Sequence, residues 1–260
     1  MLDTVILSLL IGISVGIASG YVGSLMVLEK MALVGDALSH VALPGLAIGI
    51  LFHFDPFIGA FIFLFASAAI IWHVQRVTRI SFEALVGASF TLALAIGIMI
   101  IPEPDLLEAL FGNITKVTLI DAIAAAGIST VTILLTRTIY KKLVLAMISE
   151  DLAISKGIDV AKTNLLYLFL VSLVVAIGIK IVGTLLVGFL VIVPAIAAKN
   201  LSSDMFRYSL FSAVFGAIAA FSGVLIANYM SLPSGPMVVF SGIAIFAVTI
   251  MVNWKMKITT

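Results

Sequence analysis

Two side chains in one apolar stretch of this 260-residue sequence have the types and the spacing to do chemistry. Asp36 and His40 stand four residues apart in KMALVGDALSHVALPGLAIGILF, so on a helix they project from one face with their Cβ atoms about 6 Å apart. A carboxylate with an imidazole suits Zn²⁺, Mn²⁺ or Fe²⁺ better than Cu⁺ or K⁺. Pro44 lacks the N–H that the His40 carbonyl would accept, which predicts an interrupted helix of the kind that lines transport sites.

One aspartate and one histidine are too few ligands for a closed metal site. Two copies of the chain around a twofold axis would supply four ligands, so the pair favours a homodimer. Two other interpretations stay open on the spacing alone. The pair could form an internal hydrogen bond that joins two helices, or it could act as a proton relay.

The sequence around this pair is too apolar to fold in water. Hydrophobic residues make up 63% of it, charged residues 10%, and the mean hydropathy is +1.31, whereas soluble domains carry about 25% charged residues. Apolar runs recur that are long enough to cross about 30 Å of hydrocarbon. Because these runs do not alternate with period two, they predict helices and not a closed barrel.

We therefore predict an all-α, polytopic membrane protein that forms a single domain over residues 1–260, with about eight or nine transmembrane helices. The apolar segments fall at about 4–28, 32–52, 56–74, 82–101, 117–136, 164–179, 181–198, 208–228 and 235–253.

The basic residues are distributed unevenly between the two sets of linkers. Only Lys116 and Lys180 fall in one set. The other set holds Lys30, Arg76, Arg79, Arg137, Lys141, Lys142, Lys156, Lys162, Lys199, Arg207, Lys255 and Lys257. The positive-inside rule makes the richer side cytoplasmic, so the N-terminus is predicted outside and the C-terminus in the cytoplasm.

Three linkers stand out. The cytoplasmic linker 137–163 contains SEDLAISKGIDVAK, a pattern typical of an amphipathic helix that lies against a membrane or a partner. The cytoplasmic linker 197–207 is predicted to be short and helical, with Ser202 or Ser203 as its cap and with Met205 and Phe206 as an apolar tip. On the outer side, IPEPDLLEALFGNIT predicts a turn and a short re-entrant helix over about 102–115.

Several function classes are excluded by what the sequence lacks. The absence of cysteine excludes disulfides, thiolate metal sites and iron–sulfur clusters. Without a Walker-type glycine-rich loop, the chain has no means of using ATP on its own. The spans hold no Ser–His, Ser–Lys or HExxH arrangement, so an intramembrane enzyme is not expected, and neither is a nucleic-acid partner.

Several blocks along nearly the whole chain resemble the membrane permeases of ATP-binding-cassette importers for zinc, manganese or iron, the ABC-3 permease family. The blocks are SGYVGSLMVLEKMALVGDALSHVALPGLAIG, ISFEALVGASFTLALAIGI, LLEALFGNI, MISEDLAISKGIDVAK, IKIVGTLLVGFLVIVPAIAA and LPSGPMVVFSG. The resemblance implies a homodimer with a shortened vitamin B12-permease-like fold and a path at its twofold axis. It implies a cytoplasmic ATPase dimer and an extracytoplasmic metal-binding protein as partners, and no tightly bound cofactor.

The resemblance also implies roles for particular residues. Asp36 and His40 match the family's Gly-Asp-x-x-x-His block and are expected to contact the metal in transit. The segment after VIVPAIAA corresponds to the family's coupling helix, which docks in the ATPase. The residues expected there are Lys199, Asn200, Ser203, Asp204, Met205, Phe206 and Arg207.

The expected function is that of a transport subunit, not an enzyme, in the cell membrane. It would move Mn²⁺, Zn²⁺ or Fe²⁺ into the cytoplasm by alternating access, driven by ATP hydrolysis in the partner subunit. Two alternatives are a secondary metal/proton transporter, with Asp36 and His40 as the relay, and an ATP-binding-cassette permease for an organic metal chelate. Nothing in the sequence separates the three metals.

Overall fold

The computed structural model describes residues 2–29, 31–78, 80–112, 117–184 and 186–258. These residues form twelve helices and no strand, which confirms the predicted all-α class. The helices are α1 (Leu2–Leu28), α2 (Ala32–Val41), α3 (Leu43–Leu51), α4 (Pro56–Val77), α5 (Phe82–Ile100), α6 (Glu103–Phe111), α7 (Leu119–Ile148), α8 (Glu150–Ser155), α9 (Val160–Val182), α10 (Val187–Lys199), α11 (Met205–Met230) and α12 (Ser234–Ile258). Lys30, Arg79 and Lys116, which entered the topology prediction, lie outside the described residues.

Seven of the described helices are long and apolar enough to cross a membrane, so the chain is a multi-pass membrane protein. They are α1, α4, α5, α7, α9, α11 and α12. Two further apolar segments are shorter: Gly35–Leu51, which covers most of α2 and α3, and Val187–Lys199, which is α10. Each of the nine predicted apolar segments falls on one of these nine.

Short polar side chains begin many of the helices. In each case a side-chain oxygen accepts a hydrogen bond from a backbone N–H of the first turn, as expected of N-cap residues. The caps are Asp55 for α4, Ser81 for α5, Thr118 for α7, Ser149 for α8, Asp159 for α9 and Asp204 for α11. At the other end of α9, Gly183 has φ 80°, a left-handed conformation that favours glycine and stops the helix.

The segment 137–163 differs from the single amphipathic helix that its sequence suggests. Helix α7 continues past the predicted end of its span to Ile148, and α8 then covers only six residues. Gly157, with φ 75°, follows α8, and Asp159 caps the start of α9. The charged stretch is therefore divided by a glycine turn between two helices.

Helix α1 lies at the centre of the bundle, where it packs against α7, α9, α10 and α11. Its contact with α11 is close because both helices have glycine at the crossing. A Cβ atom on Gly16 would lie 2.4 Å from the carbonyl oxygen of Gly216. The hydrophobic effect does not drive helices together in lipid. Close backbone packing of this kind therefore stabilises the association of membrane helices.

At the end of the bundle that is predicted to be outside, the described part of the predicted re-entrant segment 102–115 contains the nine-residue helix α6. Residues 113–116 lie outside the described chain. The backbone N–H of Thr184 donates to the carbonyl of Ala109 at 2.9 Å. Helix α6 is therefore held against the turn between α9 and α10. Its depth in the membrane stays a prediction.

Candidate functional site

The site begins with the break between α2 and α3. Helix α2 ends at Val41, Ala42 forms the joint, and Pro44 lies in the first turn of α3. Since proline has no N–H, the His40 carbonyl has no helical donor at that position. The predicted interruption of the helix is confirmed.

Asp36 and His40 both lie on α2, one turn apart, but their surroundings differ. Asp36 is exposed on the surface of the single chain, whereas His40 is only 7% exposed. Among the described residues no hydrogen bond or ion pair joins them. The structure therefore places both residues on one helix and gives no support for a hydrogen bond that joins two helices.

The His40 imidazole is held by packing and not by hydrogen bonds. Its ring meets Phe90 of α5 edge to face, with centroids 5.0 Å apart. Within the described part of the chain, its buried Nδ1 atom has no hydrogen-bond partner. An imidazole whose tautomer is not fixed by a protein partner keeps its nitrogen lone pair available to a ligand.

Helix α10 covers the other side of Asp36. A Cβ atom on Gly188 would lie 2.5 Å from the Asp36 Cα and 2.7 Å from its Oδ1, so only glycine allows the two helices to approach this closely. Gly188 precedes Lys199, the last residue of α10, by eleven residues, which is about 16 Å along the helix. If Lys199 marks the membrane boundary, Asp36 lies about halfway through 30 Å of hydrocarbon.

Ser39 connects α2 to the turn between α9 and α10. Its hydroxyl oxygen is buried and lies 2.6 Å from the carbonyl oxygen of Asp36 and 2.7 Å from that of Thr184. A hydroxyl has one proton to donate, so it bonds one of these carbonyls at a time. The sequence alone did not predict that Ser39, Thr184 or Gly188 belongs to the site.

As a ligand set, the site on one chain is incomplete. The described residues contain no cluster of three or more histidine, cysteine, aspartate or glutamate side chains that could hold a metal ion. Asp36 and His40 can offer one oxygen and one nitrogen ligand, which suits weak binding of a transition-metal ion but not a permanent site.

An acidic cavity lies at the C-terminal end of α3. It has a volume of about 270 Å³, and Asp55, Asp105 and Glu108 contribute to its lining. Lys180 reaches it from α9 and forms an ion pair with Asp121 at the start of α7, so its charge is neutralised locally. The sequence predicts this lysine between two spans, whereas it lies within α9.

A second cavity, of about 380 Å³, lies at the opposite end of the bundle. Glu29, Arg76, Glu150 and Tyr167 are among its lining residues and come from four different parts of the chain. Burial raises the pKa of the Glu29 carboxyl to about 7. This carboxyl therefore titrates near physiological pH.

The predicted coupling segment is a turn and not a separate helix. Helix α10 ends at Lys199 and α11 begins at Met205. The predicted serine cap is wrong, because Asp204 caps α11 by accepting the N–H of Arg207 at 2.9 Å. The Asp204 carboxylate also pairs with the Arg207 side chain at 3.2 Å.

The apolar tip of this segment is exposed, as the sequence suggests. Met205 is 39% exposed and Phe206 is 72% exposed, whereas the following Tyr208 is buried. The Tyr140 hydroxyl lies 3.4 Å from the Met205 carbonyl, and Asn200 donates to Thr249 of α12 at 3.2 Å. These contacts hold the segment against α7 and α12, and the bundle presents an apolar side chain at one of its ends.

Comparison with known proteins identifies the family. The sequence model of the ABC 3 transport family matches residues 1–253. The chain belongs to this family. The resemblance stated from the sequence blocks is therefore confirmed, and the chain is a membrane transport protein.

Curated relatives of this ABC 3 family chain are similar over nearly all of its length. The manganese import system permease protein ScaB of Streptococcus parasanguinis is 29% identical, covering 96% of this chain and 91% of the relative. The manganese transport system membrane protein MntC of Listeria monocytogenes is 32% identical, with coverage of 92% and 87%. The high-affinity zinc uptake system membrane protein ZnuB of Buchnera aphidicola is 30% identical, with coverage of 96% and 98%.

Two solved structures share the fold. A chain of PsaBC from Streptococcus pneumoniae, in complex with Fab, aligns with a TM-score of 0.84 and 31% identity over 93% of this chain and 89% of that one. An inward-facing putative metal-chelate type ABC transporter aligns with a TM-score of 0.75 and 18% identity, over 94% and 84%. The second likeness concerns the fold alone.

Proposed function

We propose that this chain is the permease subunit of an ATP-binding-cassette importer that carries Mn²⁺ or Zn²⁺ into the cytoplasm. The observation that carries the proposal is the pairing of Asp36 and His40 on an interrupted helix in a member of the ABC 3 family. The names of the relatives support manganese and zinc. Fe²⁺ shares these ligand preferences and stays a prediction from the ligand set.

Asp36 and His40 are the proposed ligands of the ion in transit. The carboxylate supplies charge and an oxygen, and the imidazole supplies a nitrogen, a set that Mn²⁺ and Zn²⁺ both accept. An importer must release its ion, so an incomplete and weakly binding set serves it better than a closed one. The His40 carbonyl lacks the helical donor that residue 44 would normally supply, and its oxygen is a further proposed ligand near the pair.

A second copy of the chain is proposed to complete the site. Asp36 is exposed on the single chain although, with Lys199 at the membrane boundary, it lies about halfway through the hydrocarbon. A charged residue facing lipid there would cost about 2.5–3.5 kcal/mol or more. A twofold axis beside α2 would remove Asp36 from lipid and would bring two aspartates and two histidines to one path.

The acidic outer cavity is proposed as the entry side. Carboxylates at the mouth of a low-dielectric path concentrate cations before they enter. An extracytoplasmic metal-binding protein would deliver the ion to this end. The uneven distribution of basic residues supports an outer N-terminus and a cytoplasmic C-terminus.

The opposite end is proposed to receive the ATPase dimer. Phe206 is a large apolar side chain that is 72% exposed at a turn where two spans meet, and a pocket in a cytoplasmic partner would cover it. Asp204 and Arg207 hold the first turn of α11 in place. Movement of the ATPase would thus pass through α10, which contacts α2 directly, and would open the path inward.

The experiment is metal uptake by proteoliposomes that contain the whole complex, with Asp36→Ala and His40→Ala variants. Each variant should insert and assemble normally but should lose uptake of Mn²⁺ and Zn²⁺, because half of the ligand set is missing. The matched controls are Asp151→Asn and His53→Asn, which change exposed residues of the same types away from α2. The asparagine suits the left-handed backbone of His53, whose φ is 57°.

Full uptake by both alanine variants would overturn the site assignment. Uptake driven by a pH gradient in the absence of ATP would instead identify a secondary transporter. Uptake of a metal chelate with no uptake of free Mn²⁺ or Zn²⁺ would identify a chelate permease.

A further inference from the structure

A groove runs along the surface between α1, α7 and α11. Met205 and Phe206 of the predicted coupling segment line part of it, but its basic residues on α7 have no role in the proposed transport mechanism. Its volume is about 790 Å³, within the range of about 300–1,000 Å³ that is usual for ligand sites. Most of its lining is apolar, for example Ile17, Ile133 and Leu210. Two cations, Arg137 and Lys141, stand on its α7 wall, and none of the described residues that line it is a carboxylate.

The two cations are available to an anionic ligand. Arg137 and Lys141 are four residues apart, so they project from one face of α7, and both are exposed. No carboxylate among the described residues pairs with either one, whereas Lys162, Lys180 and Arg207 each have an acidic partner.

The level of these cations in the membrane follows from the length of α7. The helix begins at Leu119 behind the capping residue Thr118, and about 20 residues cross the hydrocarbon. Twenty residues counted from Leu119 end at Thr138, so Arg137 lies at the boundary between hydrocarbon and headgroups. Lys141 lies one turn beyond Arg137, at the level of the lipid headgroups. Ile133 lies one turn on the hydrocarbon side.

The floor of the groove is ordered by aromatic contacts. The rings of Tyr21 on α1 and Tyr140 on α7 lie 6.0 Å apart, and the Tyr140 hydroxyl lies 3.4 Å from the Met205 carbonyl of α11. These contacts fix the spacing of the three helices. The groove therefore exists before any ligand binds.

We propose that this groove binds one anionic phospholipid of the cytoplasmic leaflet. The headgroup phosphate lies between Arg137 and Lys141, and an acyl chain lies against Ile17, Ile133 and Leu210. The charge of the groove favours an anionic phospholipid, because two cations without an acidic partner lie at headgroup level and the apolar part of the groove extends from them into the hydrocarbon. A cytoplasmic protein cannot reach the part of the groove on the hydrocarbon side of Arg137. The inference goes beyond the proposed metal transport and depends only on the orientation of the chain.

The test is native mass spectrometry of the delipidated full-length protein, titrated in detergent with phosphatidylglycerol or with phosphatidylcholine. Phosphatidylglycerol should be retained in preference. Arg137→Gln should weaken its binding about fivefold and the Arg137→Gln/Lys141→Gln pair about thirtyfold, from about 1 kcal/mol per basic residue at an anionic lipid surface. Lys142→Gln is the matched control, since it removes an adjacent exposed lysine that does not line the groove.

Three results would overturn the proposal. The first is equal retention of phosphatidylglycerol by the wild type and the double variant, and the second is equal retention of the two lipids by the wild type. The third is competition by soluble glycerol phosphate at the lipid's own concentration, which would show that the acyl chain contributes nothing. In the first case, loss of a co-purifying ATPase from the double variant would identify the groove as a protein interface instead.

Discussion

Replacing Gly188 with alanine tests whether the approach of α10 to α2 positions Asp36, the proposed metal ligand. The added Cβ would lie 2.5 Å from the Asp36 Cα, whereas nonbonded carbon atoms pack at about 3.5–4.0 Å. The obstacle is backbone and not the end of a flexible side chain. The two helices must therefore separate locally by about 1 Å.

The size of the effect follows from this displacement. Overpacking of this kind costs about 1–3 kcal/mol of the free energy of unfolding. Metal–ligand distances tolerate errors of only about 0.2 Å, so a shift of about 1 Å in Asp36 exceeds what the site can absorb. We expect metal uptake to fall by about tenfold or more, the range seen when the support of a ligand is removed.

The assay compares Gly188→Ala with Gly127→Ala in proteoliposome uptake and in thermal unfolding of the purified protein. Gly127 is a matched control because a Cβ there meets no atom within 4 Å, and alanine favours a helix over glycine by up to about 1 kcal/mol. Gly127→Ala should keep wild-type uptake and an equal or higher Tm. Equal uptake and equal Tm for both variants would refute the reasoning. A lower Tm for Gly188→Ala with normal uptake would show that the contact is structural only.

Two further predictions concern stability. Ser39→Ala leaves the buried Thr184 carbonyl without its hydroxyl donor, so it should lower the free energy of unfolding by about 1–3 kcal/mol; an unchanged Tm would contradict this. The pKa of Glu29 is raised to about 7 by burial, so the folded state binds the proton more tightly than the unfolded state. Stability contributed by this group is present below the unfolded pKa and is lost as pH rises toward 7. Glu29→Gln should therefore reduce the fall in Tm between pH 5 and pH 8, and an identical fall in both proteins would contradict the burial of this carboxyl.

The positions of the membrane segments could be predicted from the sequence because the length of an apolar run indicates how much of the chain contacts hydrocarbon. The length of an apolar run does not show where the helix itself ends. The predicted span at 117–136 ends where Arg137 begins, yet α7 continues to Ile148. Charged residues end the contact with hydrocarbon, but arginine and lysine are good helix formers and do not end the helix.

Backbone breaks could be predicted where the residue type leaves little choice. Pro44 predicted the joint at Ala42 correctly because it cannot donate to the His40 carbonyl. Pro194, in contrast, lies inside α10 without ending it, and the break there comes earlier, at Gly183. The sequence predicted Ser202 or Ser203 as the cap of a linker helix, but the adjacent Asp204, which also has a suitable side chain, caps α11 instead.

The residues that support the site could not be predicted, because they approach from far along the chain. Asp36 and His40 are visible as polar residues in an apolar segment. Ser39 meets Thr184 at a sequence separation of 145 residues, and Gly188 is one of 20 glycines in the chain. Only the folded arrangement of α2 and α10 distinguishes it from the others.

The two short apolar segments explain why the site lies where it does. Neither Gly35–Leu51, with its joint at Ala42, nor Val187–Lys199 is a long unbroken helix, and the two meet where Gly188 packs on Asp36. Broken helices leave backbone groups unpaired, and such groups are tolerated at membrane depth only inside protein or beside water. On the buried side of α2, the Ser39 hydroxyl is a hydrogen-bond donor for the Thr184 carbonyl. On the opposite side of α2, the Asp36 side chain is exposed. A carboxylate at that depth requires a water-filled path or a second subunit. The exposure of Asp36 is therefore the strongest physical argument that the path runs along α2 and that two chains share it.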